Sequence, residues 1–478
     1  MDERLKSQEV PLAVDLDGTL VATDLLWESA FILLKRNPLF LFLFPIWLLS
    51  GKANLKQQIA SRISMDAGLL PYRRDFLDYL RQEHMRGRRL VLATAAAEPL
   101  AQAVAAELGI FEAVLATSGK TNLSSHRKAK ALNENYGPKG FDYAGNDRAD
   151  LAVFAAAREA VVVAPDRAAS RFQKANGSRL FENNSRGIKP YLKMLRVHQW
   201  LKNLLVFVPA ILAHTIFYPD VLLSSILAFT AFSAAASAIY ILNDIIDLPL
   251  DRQHARKKLR PFASGTLSIP FGLKVSALLL LIAAATCFFL PPEFALVIGL
   301  YLIATTAYSL ALKRMLLVDV ICLAALYTLR LLGGTTATDI PQSFWLMAFA
   351  MFFFLSLALV KRYVELQNST ATEKDRIAGR GYRPEDIDIV GQSGVASGFT
   401  AVVVLALYIN SAAVQQLYTY PWLIWPLVPI VLYIIIRVWI LAHRKEMDDD
   451  PVVFLANDWR SQVVIAIGAV LLFVAGMR

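Results

Sequence analysis

The chain has 478 residues, of which 56% are hydrophobic and 18% are charged, and its formal net charge is +10 at pH 7. This composition excludes a disordered chain and a fibrous repeat. A secreted disulfide scaffold and a zinc site are also excluded, because the chain has only two cysteines, Cys287 and Cys322, and both lie in apolar stretches. The positive charge does not call for nucleic acid as a partner, because the basic loops of a membrane protein explain it more simply.

The first part of the chain alternates short apolar strands with helical stretches. We predict strands at 11–14, 89–93, 141–144 and 160–163, and helices between them, for example at 99–108 and 128–136. This alternation predicts an α/β domain with a Rossmann-like parallel sheet covered on both faces. We assign it residues 1–180, with a helical cap insertion at 24–75. The turn-rich stretch 172–190 is predicted to be an irregular linker, and we place the linker between the two domains at 181–195.

The cap insertion contains an apolar run at 39–49, flanked by Lys35, Arg36 and Lys52. Eleven apolar residues are too few to cross a bilayer as a helix. The run is either an interfacial helix with aromatic and basic anchors or a surface that packs on the second domain. The sequence leaves these two alternatives open.

The rest of the chain, 196–478, is predicted to be an all-α membrane domain with about nine transmembrane helices. We place the spans near 200–217, 221–242, 272–290, 294–312, 317–334, 343–361, 395–414, 421–442 and 461–477. Alternate loops carry Lys and Arg, whereas the other loops carry none. We therefore expect the basic loops and the N-terminal domain to lie together on the cytoplasmic side of the inner membrane.

Two carboxylates, Asp15 and Asp17, directly follow the first predicted strand, and Gly18 permits a sharp exit from it. One carboxylate can attack phosphorus while the other handles the proton of the leaving oxygen, with Mg²⁺ bridging them to phosphate. Further along the chain, four residues can complete the site: one with a hydroxyl that can donate to phosphate, a lysine at the start of a helix, and two more acids. These residues are Thr94, Lys128 (with Lys120 and Lys130 as alternatives), Asp147 and Asp150.

This set of motifs resembles the haloacid dehalogenase (HAD) superfamily of phosphatases over residues 11–165. The resemblance implies that Asp15 is the nucleophile, Asp17 the acid and base, and Thr94 and Lys128 the phosphate ligands, with Mg²⁺ held by Asp15, Asp17, Asp147 and Asp150. The sequence departs from the family pattern at Asn146, which stands where an acid is usual. An inactive or purely structural domain therefore remains an alternative.

An acidic segment closes the second predicted span, and a basic segment follows it. On a helix, Asn243 or Asp244 shares one face with Asp247 and Asp251, and three such oxygen ligands suit a Mg²⁺ ion that carries diphosphate. The basic residues that can hold the phosphate oxygens include Lys257, Lys258 and Arg260. Acids at a membrane helix end are costly unless they have a task, so we predict a diphosphate site here.

The NDxxDxxxD pattern resembles the UbiA superfamily of intramembrane transferases, which are all-helical with a cytoplasmic Mg²⁺–diphosphate site. Several further motifs resemble its decaprenyl-phosphate phosphoribosyltransferase branch, although Ala255 and the loop 373–382 depart from the pattern. The resemblance and the motif positions give the following substrate-binding candidates: Gln199, Lys202, Asn203, His254, Lys257, Lys258, Arg260, Tyr308, Lys313, Arg330, Lys361, Arg362 and Glu365.

Arg330 lies inside the fifth predicted span, where a cation needs a partner or a cavity. A polyprenyl phosphate headgroup or a ribose 5-phosphate is one candidate partner; a structural ion pair with Asp319 or Glu365 is the other. We expect Asp319 to orient other residues rather than to bind ligand. The loop that contains Lys374, Arg376, Arg380 and Arg383 is interpreted as a cationic lid over a phosphate-bearing acceptor.

These resemblances imply a bifunctional, Mg²⁺-dependent membrane enzyme. It would transfer 5-phosphoribose from phosphoribosyl diphosphate to a polyprenyl phosphate of decaprenyl type, and the HAD domain would dephosphorylate the product, a cell-wall-type precursor. The alternative is prenyl transfer to an aromatic or other acceptor beside an unrelated or inactive HAD domain. A transporter is less favoured, because no internal repeat is evident. The oligomeric state is left open, and no nucleic acid partner is expected.

Overall fold

In the computed structural model the described residues are 10–119, 121–182, 187–368, 381–447 and 450–476. The chain forms two compact units. The first contains Met1–Leu195 and Ile241–Val275, and the second contains Arg196–Tyr240 and Ser276–Arg478. The acidic and basic segment after the second predicted span therefore belongs to the same unit as the N-terminal domain.

The first unit is built on a six-stranded, all-parallel sheet. Its strands are β1 (Leu12–Val14), β2 (Leu90–Ala97), β3 (Ala113–Thr117), β4 (Asp142–Gly145), β5 (Ala160–Val163) and β6 (Arg179–Phe181). They lie in the order β3-β2-β1-β4-β5-β6, and all five pairings are parallel. Every residue of β1 is fully buried, as expected of a short apolar strand covered on both faces. The predicted α/β class is confirmed.

Helices cover this sheet and form the insertion between β1 and β2. They are α1 (Leu25–Arg36), α2 (Leu43–Leu49), α3 (Lys52–Ala60), α4 (Arg74–Met85), α5 (Glu98–Leu108), α6 (His126–Tyr136), α7 (Leu151–Ala156), α8 (Arg167–Asn176) and α9 (Lys189–Leu195). The four predicted strands are present, and the structure adds β3 and β6.

The prediction of an irregular stretch at 172–190 is wrong in part, because this stretch contains the end of α8 and all of β6. Tertiary packing outweighs the turn-rich composition here. The ring of Phe181 lies 5.2 Å from that of Phe76 and 5.3 Å from that of Tyr79, and the Arg179 guanidinium lies 4.1 Å from the Tyr79 ring centroid. These contacts hold a sixth strand that local propensity does not indicate.

The apolar run of the insertion folds as a 3-10 turn, Pro38–Phe42, followed by α2. Phe40, Phe44 and Trp47 pack on a small cluster with Leu33 and Ile59. The opposite side is solvent-accessible in the structure, and its exposed apolar side chains are Leu39, Leu41, Phe42, Leu43, Ile46, Leu48 and Leu49. The run therefore has one packed side and one open apolar side.

The remaining helices are long and apolar for the most part. They are α10 (Val208–Leu212), α11 (Pro219–Ile246), α12 (Leu248–Gln253), α13 (Ile269–Cys287), α14 (Pro292–Leu310), α15 (Val318–Thr338), α16 (Phe344–Asn368), α17 (Ile387–Ile409), α18 (Ala412–Leu417), α19 (Leu427–His443), α20 (Pro451–Asn457) and α21 (Trp459–Gly476). Among the described residues, eight helical segments are long and apolar enough to cross a membrane. They make the chain a multi-pass membrane protein.

The predicted span at 200–217 differs from the structure. The chain there forms a shorter apolar segment, Val197–Leu212, whose first part is a 3-10 helix and whose second part is α10. The segment ends at Leu212, and shortly after it the φ of +59° at His214 turns the chain away from the helix direction. The structure thus has eight spans of full length in its described part, where the sequence predicts nine.

Candidate active sites

The carboxyl ends of β1 and β4 and the start of α6 surround one cavity of about 180 Å³ in the first unit. The predicted site residues that line it are Asp15, Asp17, Lys128, Asp147 and Asp150. Because neighbouring parallel strands end at the same edge of a sheet, residues distant in sequence meet there. The Asp15 backbone N–H donates to the Ala144 carbonyl of β4 at 2.9 Å, which ties the two strand ends together.

Gly18 makes the exit from β1 possible. Its φ is +76°, and a Cβ at this position would lie 2.3 Å from Nδ2 of Asn146. The backbone conformation therefore favours glycine, and a side chain at this position would also displace the end of the Asn146 side chain. The next residue, Thr19, lies 3.2 Å from Oδ2 of Asp15 and 3.2 Å from Oδ1 of Asn146, so its hydroxyl joins the two motif segments.

Lys128 is the central cation of the cavity. Its Nζ lies 2.7 Å from Oδ1 of Asp15, 3.5 Å from Oδ1 of Asp150 and 2.8 Å from the Tyr143 hydroxyl, and the side chain is buried. Of the two alternatives, Lys130 is exposed and pairs with Glu134 at 3.7 Å. Lys120 lies outside the described residues.

Asp150 is held by four donors. Oδ1 accepts hydrogen bonds from Tyr143 at 2.6 Å and from Lys128, and Oδ2 accepts from the backbone N–H groups of Asn146 at 2.9 Å and Asp147 at 3.3 Å. A carboxylate with both oxygens engaged in this way has little capacity left for a metal. In this structure Asp150 positions Lys128 and the loop after β4.

Burial changes the pKa values of the two leading acids. Burial, opposed by Lys128, raises the pKa of Asp15 to about 7. Burial and then the nearby Asp24 carboxylate raise the pKa of Asp17 well above its usual value, even though its Oδ1 accepts from the Leu25 N–H at 2.8 Å. Two acids in one cavity with different partners can take different roles, one as nucleophile and the other as proton donor.

Thr94 lies in β2 and is fully buried. Its Oγ1 accepts a hydrogen bond from the Ala96 N–H at 3.0 Å, and the cavity wall at this strand end is formed by Ala95, Ala96 and Ala97. The structure therefore gives Thr94 a local structural bond. The three residues after Thr94 line the cavity, whereas Thr94 itself does not.

The insertion contributes cavity residues that sequence reasoning missed. Ser29 on α1 is fully buried, lines the cavity and has no hydrogen-bond partner for its Oγ among the described residues. Lys56 on α3 also lines the cavity and donates to the Ala95 carbonyl at 2.6 Å and to Asn122 at 3.0 Å. Burial lowers the pKa of Lys56. A lone serine in an insertion gives no sequence signal, because its contribution depends on how the cap folds.

The fit to Mg²⁺ rests on the chemistry of the donors. Asp15, Asp17 and Asp147 present carboxylate oxygens to the cavity, and these are the ligands that Mg²⁺ prefers. In the described part of the chain, no three acidic, histidine or cysteine side chains stand ready as a metal cluster. The physical reason in this cavity is that Lys128 lies between Asp15 and Asp150 and already neutralises them.

The acidic segment, residues 243–251, runs from the end of α11 into α12 and folds in a related way. Nη1 of Arg260 lies 2.7 Å from Oδ2 of Asp251 and 3.1 Å from Oδ1 of Asp244, and both acids are buried. Asp247 instead accepts a hydrogen bond from Nζ of Lys35 on α1, at 2.6 Å. Burial raises the pKa of Asp251, with Arg260 opposing. The segment thus gathers hard oxygen donors that suit Mg²⁺ with a cation beside each of them.

The rest of the basic segment is more open. Lys257 and Lys258 lie on an exposed 3-10 turn, Lys257–Leu259. His254 Nδ1 lies 3.2 Å from the Arg256 N–H and 3.4 Å from the Lys257 N–H, so its ring stabilises the turn. The neighbouring Arg252 is directed elsewhere and forms a buried ion pair with Glu28 of α1.

In the second unit, Arg330 is buried among uncharged partners. Its Nε donates to Oδ1 of Asn203 at 2.8 Å, its Nη2 lies 3.2 Å from the Tyr301 hydroxyl, and its Nη1 donates to the Leu326 carbonyl. The suggested ion pair with Asp319 or Glu365 is wrong, because Arg362 takes both of these acids. Within the described ranges, the charge of Arg330 has no acidic partner.

Arg362 is fully buried and forms the centre of a second polar cluster. Its Nε lies 2.6 Å from Oδ2 of Asp319, it contacts Glu365, and its Nη2 lies 3.2 Å from the Tyr308 hydroxyl. The Tyr382 hydroxyl donates to Asp319 at 2.8 Å. Asp319 therefore accepts hydrogen bonds from both Arg362 and Tyr382.

Lys202 contacts Asp450, the N-cap of α20, and lies 5.7 Å from the centroid of the Tyr327 ring. Burial would raise the pKa of Asp450, but Lys202 and then Lys361 lower it below its usual value. The other candidates of this unit, Gln199 and Lys313, are half-buried. Of the predicted cationic lid, Lys374, Arg376 and Arg380 lie outside the described residues.

Comparisons with known proteins match two parts of the chain to two families. Residues 204–459 match the UbiA prenyltransferase family, and residues 12–155 match the haloacid dehalogenase-like hydrolase family. The uncharacterized protein y4nM of Sinorhizobium fredii is 38% identical over 466 residues, which are 96% of this chain and 90% of that protein. The nodulation protein NoeC of Azorhizobium caulinodans is 34% identical over 286 residues, covering 59% of this chain and 92% of that protein.

A third relative carries an enzymatic name. Decaprenyl-phosphate phosphoribosyltransferase of Mycobacterium tuberculosis is 35% identical over 185 residues, which are 38% of this chain and 61% of that protein. The family match covers more than half of the chain and the match to y4nM covers nearly all of it. The chain therefore belongs to the UbiA prenyltransferase family and carries a haloacid dehalogenase-like domain at its N-terminal side.

Proposed function

We propose that the protein transfers 5-phosphoribose from phosphoribosyl diphosphate to a polyprenyl phosphate, and that its HAD-like domain then removes the 5-phosphate. The observation that carries the first step is Arg330, a buried cation whose described partners are all uncharged. A buried charge without a counter-ion is costly unless a ligand neutralises it. An acceptor that bears a phosphate supplies that charge, whereas a neutral aromatic acceptor does not.

The acidic segment supports the donor half of the proposal. Asp244, Asp247 and Asp251 would hold Mg²⁺, which when bound stabilises negative charge on a leaving diphosphate. Arg260 and the exposed Lys257 and Lys258 share the charge of that diphosphate. These residues favour departure of diphosphate from C1 of the ribose.

The acceptor needs no strong base. A phosphate monoester is already anionic, so one of its oxygens forms the new bond to C1 as the bond from C1 to diphosphate breaks. Lys202, Arg330 and Asn203 lie in the second unit, where the Asn203 amide orients the Arg330 guanidinium at 2.8 Å. We assign these side chains to binding and orienting the acceptor phosphate.

The HAD-like cavity supports the second step. Asp15 attacks the 5-phosphate and forms a phosphoaspartate, while Asp17 donates a proton to the departing 5-hydroxyl. Water then releases inorganic phosphate and restores Asp15. Lys128 holds Asp15 in place at 2.7 Å and balances the charge of the incoming phosphate. The product is polyprenyl-phosphoryl ribose.

Purified full-length protein in lipid nanodiscs, supplied with Mg²⁺, polyprenyl phosphate and phosphoribosyl diphosphate, tests both steps by mass spectrometry of the lipid. We expect the lipid to gain one phosphoribosyl group and then to lose one phosphate. Reaction of a prenyl diphosphate with an aromatic acceptor, without any ribosylated lipid, would overturn the proposal in favour of prenyl transfer. Arg330→Met should abolish the gain, while its neighbour Thr328→Val should retain it.

A further inference from the structure

Helix α1 of the insertion begins at the phosphatase cavity. Its N-cap, Asp24, accepts from the backbone N–H groups of Leu26 and Trp27, and its first residue, Leu25, donates to Asp17 at 2.8 Å. Leu25, Leu26 and Ser29 form part of the cavity wall. The first turn of α1 is therefore fixed by the same residues that build the phosphatase site.

The same helix contacts the acidic segment. Glu28 forms a buried ion pair with Arg252, whose side chain is 7% exposed, and Lys35 in the last turn donates to Asp247 at 2.6 Å. The two pairs differ in exposure, because Lys35 and Asp247 are 28% and 26% exposed. The partly exposed pair of Lys35 and Asp247 adds little to stability, whereas the buried pair of Glu28 and Arg252 fixes the helix against the acidic segment.

Lys35 is therefore held beside Asp247, a predicted Mg²⁺ ligand, by contacts made elsewhere on its helix. It lies outside residues 204–459, which match the UbiA family. A diphosphate held through Mg²⁺ on Asp247 and its neighbours would bring several negative charges to this place, and a compact ammonium group within reach would stabilise them.

We propose that Lys35 is a diphosphate-binding residue that the N-terminal domain supplies to the transferase site. The inference rests on the proposed function only in that the acidic segment binds a diphosphate. Because Lys35 and the acidic segment belong to the same compact unit, deletion of the N-terminal domain would remove a diphosphate-binding residue as well as the phosphatase.

Binding of inorganic diphosphate in the presence of Mg²⁺, measured by calorimetry on the full chain, tests this inference. We expect Lys35→Ala to weaken the affinity about tenfold, the effect of losing one charge-assisted hydrogen bond. Lys35→Arg should retain most of the affinity. Arg36→Ala is the matched control, because the next residue on α1 is directed to the Arg62 carbonyl at 3.4 Å, and it should bind like the wild type.

Equal affinity of Lys35→Ala and wild type would overturn the inference, as would an equal loss in Arg36→Ala. Hydrolysis of a soluble phosphate monoester by all variants verifies that the domain is folded. Ribosyl and prenyl donors both contain a diphosphate group. If Lys35→Ala weakens diphosphate binding as expected but the protein transfers no ribosyl group, the proposed function is refuted and the role of Lys35 is retained.

A separate observation concerns the phosphatase cavity. The Oγ of Ser29 is buried in the cavity wall and has no partner within the described residues. A buried hydroxyl without a partner is costly, and a ligand hydroxyl in the cavity satisfies it. We infer that Ser29 binds a hydroxyl of the substrate and so selects sugar phosphates; this inference rests on the proposed phosphatase step.

Hydrolysis of ribose 5-phosphate and of p-nitrophenyl phosphate, which has no sugar hydroxyl, separates recognition from chemistry. Ser29→Ala should lower kcat/KM about tenfold for the first substrate and leave the second unchanged. The control is Ser61→Ala, whose exposed hydroxyl donates to the Gln58 carbonyl at 3.2 Å. Equal effects on both substrates, or no effect, would overturn the role of Ser29. A wild-type protein that hydrolyses neither substrate would overturn the phosphatase step itself.

Discussion

The phosphatase cavity and the acidic segment each place one cation between two buried carboxylates. In the cavity, Nζ of Lys128 lies between Asp15 and Asp150, and the lysine side chain is only 4% exposed. In the acidic segment, Nη1 of Arg260 lies between Asp251 and Asp244, and the arginine side chain is 30% exposed. Both arrangements neutralise acids that would otherwise repel each other.

The difference between them lies in access. Lys128 is enclosed and is also held by Tyr143 at 2.8 Å, so it is a fixed part of the cavity. Arg260 reaches the solvent and uses a single nitrogen for both acids. A fixed point charge suits one small phosphate group, whereas a forked and partly open cation suits a diphosphate that must enter and leave.

The largest effect is expected from removal of the nucleophile in the enclosed site. Asp15→Asn should lower dephosphorylation at least about 1000-fold, since it removes the group that forms the covalent intermediate. The lipid carrying the extra 5-phosphate should then accumulate, as seen by mass spectrometry. Ribosyl transfer should continue in the same variant; its loss would mean that the two sites are not separable as described.

The corresponding change in the acidic segment is the double substitution of Asp247 and Asp251 by Ala. We expect ribosyl transfer to fall at least about 100-fold, because the ligands that stabilise the leaving diphosphate are lost. The readout is radiolabelled ribose in the lipid fraction. Hydrolysis of a soluble monoester should be retained, and intact ribosylation would contradict the assignment of these acids.

Lys128→Met tests whether the enclosed cation stabilises the fold. Removing one member of a buried charge cluster leaves Asp15 and Asp150 without it, at a cost of about 3 kcal/mol in the free energy of unfolding. Thermal unfolding of the metal-free protein gives the measurement. Lys130→Met is the control, because that lysine is exposed and should change stability by less than about 0.5 kcal/mol.

The pH dependence of this variant has a definite sign. Burial raises the pKa of Asp15 to about 7 even with Lys128 present, from 3.8 for an exposed carboxyl. A raised pKa means that the folded state binds the proton more tightly, so the contribution of Asp15 to the free energy of unfolding is fully present below about pH 4 and is lost as the pH rises through the folded pKa. Without Lys128 that pKa rises further, and the variant should therefore be less impaired at pH 5 than at pH 8.

The sequence predicts much of the cavity and less of the acidic segment. Strand ends in a parallel sheet meet at one edge, so the sequence predicts that Asp15 and Asp147 come together, whereas Lys128 was implied by the resemblance to the HAD superfamily. The pairing of Lys35 with Asp247 could not be predicted, because it depends on how α1 packs on a segment more than 200 residues away. The role of Asp150 in positioning Lys128 could not be predicted either, because its four hydrogen-bond donors come together only when the loop after β4 is folded.

Arg260→Lys gives the smallest expected effect and tests the comparison most directly. Both contacts of Arg260 with the acids use Nη1, and a lysine can supply one nitrogen there as Lys128 does in the cavity. If the role of Arg260 were only to neutralise Asp244 and Asp251, the substitution would leave the binding of inorganic diphosphate with Mg²⁺ unchanged. If its other guanidinium nitrogens bind phosphate oxygens, as proposed, the affinity should fall about tenfold by calorimetry, because a lysine cannot form the paired hydrogen bonds of the fork.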